Sequence, residues 1–157
     1  MTNIPFVILD VFATGKYTGN QLAVCWDAGN LTDLQMQQQI AREINFSETT
    51  FVTDTEPVNG GYNTRIFTPT TELPFAGHPT LGTAFAIQQE ILKQPVERIS
   101  LNYRVGKIPV DLNYVDGELD ILWMHQQQPK FFDSLAAEIF ADVIGVNPTD
   151  IDSGYPI

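Results

Sequence analysis

The sequence predicts an α+β domain in which a sheet surrounds one buried helix, and three observations carry that expectation. Phe67-Thr68-Pro69 leaves a strand and, through Glu72-Leu73-Pro74-Phe75-Ala76, reaches Gly77-His78-Pro79, which opens a helix of small and apolar residues running to Ile87. Runs of β-branched and aromatic residues lie both before and after it, the composition that suits a pleated, half-buried surface. Gly82, Ala84 and Ala86 keep the helix slim, which predicts that other backbone approaches it closely.

Pro79 fits the first turn of a helix, where its missing N–H costs nothing. The free backbone N–H groups of that turn can receive an anion, so Gly77 and His78 would stand at a positive helix end.

Phe6 to Phe12 reads as the first strand, and Gly15 with Gly19-Asn20 punctuates the passage to a second, Gln21 to Trp26. Thr32, followed three residues later by Gln35, makes a capping box for a helix ending near Ile44. Met36, Ile40 and Ile44 form its apolar stripe, leaving Gln37, Gln38 and Arg42 for the wet face. Asn45-Phe46-Ser47 then delivers Glu48 to a strand ending at Val52. Alternation puts Glu48, Thr50 and Val52 on one face and Thr49 and Phe51 on the other. A carboxylate at the mouth of such an apolar layer is either a solvated strand end or a group held for proton transfer, and position alone leaves both readings open.

Pro57 to Gly61 is a turn, and Tyr62 to Thr68 a strand. Pro95 ends the helical region. Two or three strands cover Ile99 to Met124, with Asp116-Gly117 as a hairpin turn, and Pro129 closes the sheet. Residues 1–130 therefore read as one domain and 131–157 as a helix and tail. Asp133 or Ser134 would cap that helix, Leu135, Ile139, Phe140, Val143 and Ile144 would pack it, and Gly145 would stop it.

At 157 residues, with 43% hydrophobic and 11% aromatic residues, the chain can bury one substantial core. Its net charge of −11 opposes attachment to nucleic acid or to an anionic membrane. No apolar run reaches the roughly 18 residues that a membrane helix needs, and Met1 to Pro5 lacks the features of a signal peptide, so a cytoplasmic protein is expected. The lone Cys25, within Leu22-Ala23-Val24-Cys25-Trp26, reads as a packed strand thiol, and two histidines, His78 and His125, are too few and too distant in sequence for a zinc site. No metal is assigned. There is no dinucleotide fingerprint, phosphate loop or G-x-S-x-G elbow.

Three segments together resemble the PhzF-like family, the phenazine-biosynthesis isomerase relatives within the diaminopimelate epimerase superfamily. They are Asp10-Val11-Phe12 leading to Gly19-Asn20-Gln21-Leu22-Ala23-Val24, then Ile40-Ala41-Arg42-Glu43-Ile44-Asn45-Phe46-Ser47-Glu48-Thr49, and Arg65-Ile66-Phe67-Thr68-Pro69 through Phe75-Ala76-Gly77-His78-Pro79-Thr80. The resemblance implies a diaminopimelate epimerase-like half: a mixed, barrel-like sheet wrapped around a long central helix, in a family that carries this unit twice around one cleft. It implies that Glu48 is the catalytic acid/base, that Gly77 and His78 form the substrate-binding segment, and that Asn20 lies near the ligand. It implies an allylic proton shift on a small carboxylated substrate, with no cofactor. Where the epimerase and racemase branches have a cysteine before the matching glycine, this chain has Ala76, which disfavours two-thiol racemisation.

The family's second half supplies an aspartate and a glycine-rich anion-binding turn that have no match in residues 1–157. The chain is thus expected to be a piece of a longer enzyme, a half that pairs with itself as a homodimer or with another half, or an inactive remnant. The alternative function is a non-catalytic binding or assembly module that retains the half-fold.

Overall fold

The computed structural model describes residues 3–27, 29, 33–152, 154 and 155. The chain divides into two compact units, Met1–Gln126 and Gln127–Ile157.

The first unit is built on an eight-stranded sheet. Its strands are β1 (Phe6–Val11), β2 (Asn20–Cys25), β3 (Glu48–Val52), β4 (Tyr62–Phe67), β5 (Glu72–Leu73), β6 (Arg98–Tyr103), β7 (Gly106–Val115) and β8 (Glu118–Met124). Their order is β1-β2-β3-β4-β6-β7-β8, with the short β5 pairing with β4. β2/β3 and β4/β6 are parallel and the other pairs antiparallel, so the sheet is mixed. Helix α2 (Gly77–Ala86) touches β1, β2 and β3 as well as β6, β7 and β8. A flat sheet cannot present both of its ends to one helix, so the sheet curls around α2 into a half-barrel, as expected.

The turns follow local chemistry. Asp116 (φ 52°) and Gly117 (φ 86°) join β7 to β8, and Asn59 (φ 52°) and Gly60 (φ 74°) turn the chain between the bridged Val58 and Gly61. Both pairs have the left-handed backbone of a type I′ turn, which matches the twist of the flanking strands.

The core between sheet and α2 contains Leu22, Val24, Val52, Ile66, Ala84, Ile87, Leu101, Ile108 and Val110. Gly82 is the tightest point: a Cβ there would stand 2.5 Å from Leu22 Cδ2 and 2.8 Å from Val11 Cγ2. The neighbours that require a glycine are therefore side chains, not the backbone expected from sequence. Past Ala86 the helix continues as a π-helical segment, Ile87–Leu92, and ends at Lys93 in a left-handed conformation.

A second, smaller core lies on the other side of β3 and β4. There Phe51 and Phe67 meet edge to face at 5.6 Å and pack with Ala41 and Ile40 of α1 (Leu34–Ile44). This helix departs from expectation at both its cap and its packing face. Asp33 caps it, accepting the Gln35 N–H at 2.9 Å; the expected cap, Thr32, lies outside the described residues. Gln37 and Ala41 are buried, whereas Met36 is exposed and Ile40 and Ile44 are only partly covered. The cause is polar anchoring: Gln38 donates to the Thr68 carbonyl at 2.8 Å and Arg42 to that of Pro69 at 3.3 Å. Gln37 and Gln38 of the expected wet face thus turn inward, while Arg42 stays exposed and Met36 lies at the surface.

The second unit contains α3 (Ala137–Ile144) and a 3₁₀ turn at Pro148–Asp150. Gly145 (φ 74°) ends α3 as expected. Its N-cap is Ala136, not Asp133 or Ser134, because the chain is still extended there (ψ 138°) and no side chain caps it. Ala141 is the buried residue of α3; Leu135, Ile139, Val143 and Ile144, expected to pack, are exposed.

Candidate active site

Three elements deliver three side chains to one point. β2 and β3 run parallel with Leu22 opposite Glu48, so Asn20 and Glu48 stand at the same end of neighbouring strands. Gly19 makes the approach to Asn20 possible, since a Cβ at that position would lie 2.6 Å from the Val11 carbonyl oxygen. Strand alternation puts Glu48 on the face of Thr50, and Thr50 Oγ1 accepts from Thr83 Oγ1 of α2 at 2.9 Å. That bond ties β3 to α2, whose second residue is His78.

His78 Nδ1 lies 3.4 Å from Glu48 Oε2 and 3.3 Å from Asn20 Nδ2. Residues 30 and 58 positions away in the chain are thus brought within contact of one ring nitrogen. The His78 side chain is 9% exposed and that of Glu48 17%. His78 Nε2 and Glu48 Oε2 are both enclosed and have no hydrogen-bond partner. A buried polar atom without a partner costs on the order of 1–3 kcal/mol, a cost that proteins tend to keep where a ligand is to be met.

Gly77, the first residue of α2, adds open backbone: a Cβ there would find only Met124 Cε, at 3.8 Å. No side chain caps this helix end, so its first turn is a positive pole beside His78. Behind it, Thr80 Oγ1 bonds the Ala76 carbonyl at 2.8 Å and lies 3.2 Å from the hydroxyl of buried Tyr103. Burial pushes the Tyr103 hydroxyl's pKa far above its ordinary value, with the Thr80 bond acting weakly the other way. Tyr103 is therefore a neutral post under the helix start. Sequence reasoning missed this support because no local pattern around Tyr103 marks it; the pairing depends on where β6 is laid down.

Comparisons with known proteins identify the family. The family model for phenazine biosynthesis-like proteins matches residues 9–144. The chain belongs to that family. A trans-2,3-dihydro-3-hydroxyanthranilate isomerase from Pseudomonas aeruginosa is 43% identical over 124 residues, covering 79% of this chain and 43% of the relative. The enzyme of the same name from Pseudomonas chlororaphis is 40% identical over 154 residues, covering 97% of this chain and 51% of the relative. A solved structure described as a predicted epimerase from Pseudomonas aeruginosa superposes with a TM-score of 0.81 at 29% identity, covering 98% of this chain and 54% of that one. The chain thus spans about half the length of the phenazine biosynthesis-like relatives it matches.

Other polar groups of this family member lie apart from the Glu48–His78 contact. Cys25 is buried, and burial pushes its thiol up to about 11, as befits a packed strand residue. His125 Nε2 lies 2.6 Å from Asp111 Oδ2, and Arg98 Nε donates to Asp111 Oδ1 at 2.5 Å. This exposed trio on β6, β7 and the end of β8 was not expected from sequence. A separate cavity of about 300 Å³ is lined by Thr53, Asn63, Arg65, Glu72, Asn102 and Arg104 among others. Its cations are already used, because Arg65 and Arg104 both reach Glu72 Oε2 at 2.7 Å. Among the described residues no three His, Cys, Asp or Glu side chains cluster to hold a metal, and no helix is long and apolar enough to cross a membrane.

Proposed function

We propose that this chain is the Glu48-bearing half of an isomerase that moves a proton within a small carboxylated, unsaturated substrate. The observation that carries the reading is the pair of enclosed, unpartnered atoms, Glu48 Oε2 and His78 Nε2, at the uncapped start of α2. Glu48 takes a proton from the carbon beside the unsaturated system, the double bond shifts, and the same carboxyl returns a proton at the far carbon. No net charge and no electrons leave the substrate, so the step needs no redox cofactor. His78 and the backbone N–H groups around Gly77 hold the substrate's carboxylate or hydroxyl. The relatives' printed activity, isomerisation of a dihydro-hydroxyanthranilate, fits this chemistry, and Ala76 leaves no thiol there for a two-cysteine mechanism.

The test is exchange in deuterated water with dihydro-hydroxyanthranilate-like acids. Deuterium incorporation is expected with the unmodified chain and is expected to fall by about 100-fold or more in Glu48→Gln, in line with the worth of a general acid/base. Equal incorporation by the two would remove Glu48 from the reaction.

A second reading, assembly, is favoured by the sheet's two edges. β1 leaves Phe6 and Ile8 exposed, and β8 leaves Ile121 and Trp123 exposed, more apolar surface than edge strands usually leave bare. A solution mass equal to 17.5 kDa at micromolar concentration would refute self-association.

A further inference from the structure

We infer that Asn20 is a positioning residue that holds the His78 proton on Nε2 and so prevents His78 and Glu48 from neutralising each other. The inference takes its functional meaning from the role proposed for Glu48 and His78; its physical content is independent of any substrate.

His78 Nδ1 has two neighbours, Asn20 Nδ2 at 3.3 Å and Glu48 Oε2 at 3.4 Å. In a neutral imidazole each ring nitrogen has either one proton or one lone pair, so Nδ1 can satisfy only one of them. The side-chain amide nitrogen of asparagine only donates, and an ionised carboxylate only accepts. When Asn20 donates to Nδ1, that nitrogen supplies the lone pair and the ring proton resides on Nε2. Glu48 then finds no donor on the ring, which agrees with the unpartnered state of its Oε2. In the opposite arrangement Nδ1 has the proton and donates it to Glu48, giving the ordinary close pairing of histidine with a carboxylate.

The two arrangements differ in what they leave for a ligand. In the first, Glu48 Oε2 is an unengaged acceptor and His78 Nε2–H an unengaged donor, both enclosed. In the second, the carboxylate is bound to the ring and is no longer free to receive a proton from carbon. Asn20 selects the first because the turn behind it brings an obligatory donor within hydrogen-bond distance of Nδ1. Thr18 Oγ1 accepts from the N–H groups of Thr14 and Gly15 at 3.1 Å each, and Tyr17 N–H bonds Asp10 Oδ2 at 3.0 Å. Asn20 itself pairs with Val11 in the β1–β2 ladder. These bonds fix the Asn20 backbone, from which its exposed side-chain amide reaches Nδ1. In this arrangement Asn20 acts through His78.

The groups that face the His78 ring are accounted for element by element. β2 supplies Asn20, β3 supplies Glu48, and α2 adds its own positive end. Among the described residues no other ion pair or hydrogen bond reaches the ring.

The experiment is imidazole 15N NMR on the full chain at neutral pH, without ligand. The sequence has two histidines, so a His125→Gln variant assigns both rings. His78 is expected to show a protonated Nε2 and an unprotonated Nδ1. In Asn20→Asp, whose side chain accepts, the proton is expected to move to Nδ1, and in Asn20→Leu Glu48 is expected to capture it there. A wild-type spectrum with Nδ1 protonated, or with both nitrogens protonated, would overturn the inference. So would an Nε2–H tautomer that persists in both variants. If one variant fails to fold, the other decides, since an Nε2–H tautomer that persists in it would overturn the inference. Deuterium exchange at Glu48 is a separate readout: loss of exchange in Glu48→Gln with the wrong His78 tautomer would leave the proton-transfer reading standing and remove Asn20's role.

Discussion

Replacing Gly82 with alanine tests whether α2 is as closely sheathed as the structure shows. The new Cβ would stand 2.5 Å from Leu22 Cδ2 and 2.8 Å from Val11 Cγ2, against an optimal carbon–carbon separation of about 3.5–4.0 Å. Roughly 1 Å of movement is needed. Leu22 is fully buried, and β2 is paired with β1 on one side and β3 on the other, so the strand cannot slide away. Val11 is β-branched and stiff about its first side-chain torsion. Overpacking of this kind costs about 1–3 kcal/mol. The opposing gain, alanine over glycine inside a helix, is about 1 kcal/mol. The balance is a net loss of about 1 kcal/mol, which for a chain of this size lowers Tm by about 2–4 °C. Urea unfolding followed by circular dichroism measures it directly as a lower midpoint at unchanged slope. A double-mutant cycle makes the test sharper. Leu22→Ala alone should cost about 2–5 kcal/mol but distinctly less in the Gly82→Ala background, because the vacated volume receives the new methyl group. A Gly82→Ala protein as stable as the unmodified chain, or strictly additive effects in the cycle, would refute the packing argument.

Two further outcomes follow from the ionisable groups. Asp111 is held down to about 2, below its ordinary 3.8, first by the hydrogen bond from Arg98 and then by that from His125. A carboxyl whose folded value is depressed stabilises the fold above its unfolded value and loses that contribution as pH falls through the folded one. The stability advantage over Asp111→Asn should therefore be full above about pH 4 and fade between about pH 4 and 2; urea midpoints across that range that keep a constant difference would contradict it. Cys25, buried and pushed up to about 11, should react with a thiol reagent at pH 8 only as fast as the chain opens. Labelling as rapid as that of a free thiol would place it at the surface instead.

Much of the fold was legible because it depends on short-range chemistry. The hairpin at Asp116-Gly117, the stop at Gly145 and the helix opening at Gly77-His78-Pro79 each follow from what a few adjacent residues permit. Where the reading failed, longer-range contacts had overruled a local pattern. The stripe Met36-Ile40-Ile44 pointed to one face of α1, but bonds from Gln38 and Arg42 to the Thr68 and Pro69 carbonyls turned the helix. The cap at Asp133 or Ser134 was available, yet the chain stays extended to Ala136. The site followed the same division. Residue types and resemblance singled out Asn20, Glu48, Gly77 and His78, while nothing local indicated that Tyr103 stands beneath the helix start.

By itself the sequence determined the kinds of elements, their turns, and a small-residue helix that only burial could stabilise, because backbone sterics and apolar periodicity act over a few residues. Only the tertiary structure decided that two strand ends and a helix start share one imidazole nitrogen. Strand register and helix placement are long-range choices made by the whole core, and a separation of a few ångströms between groups 58 residues apart is set by them alone.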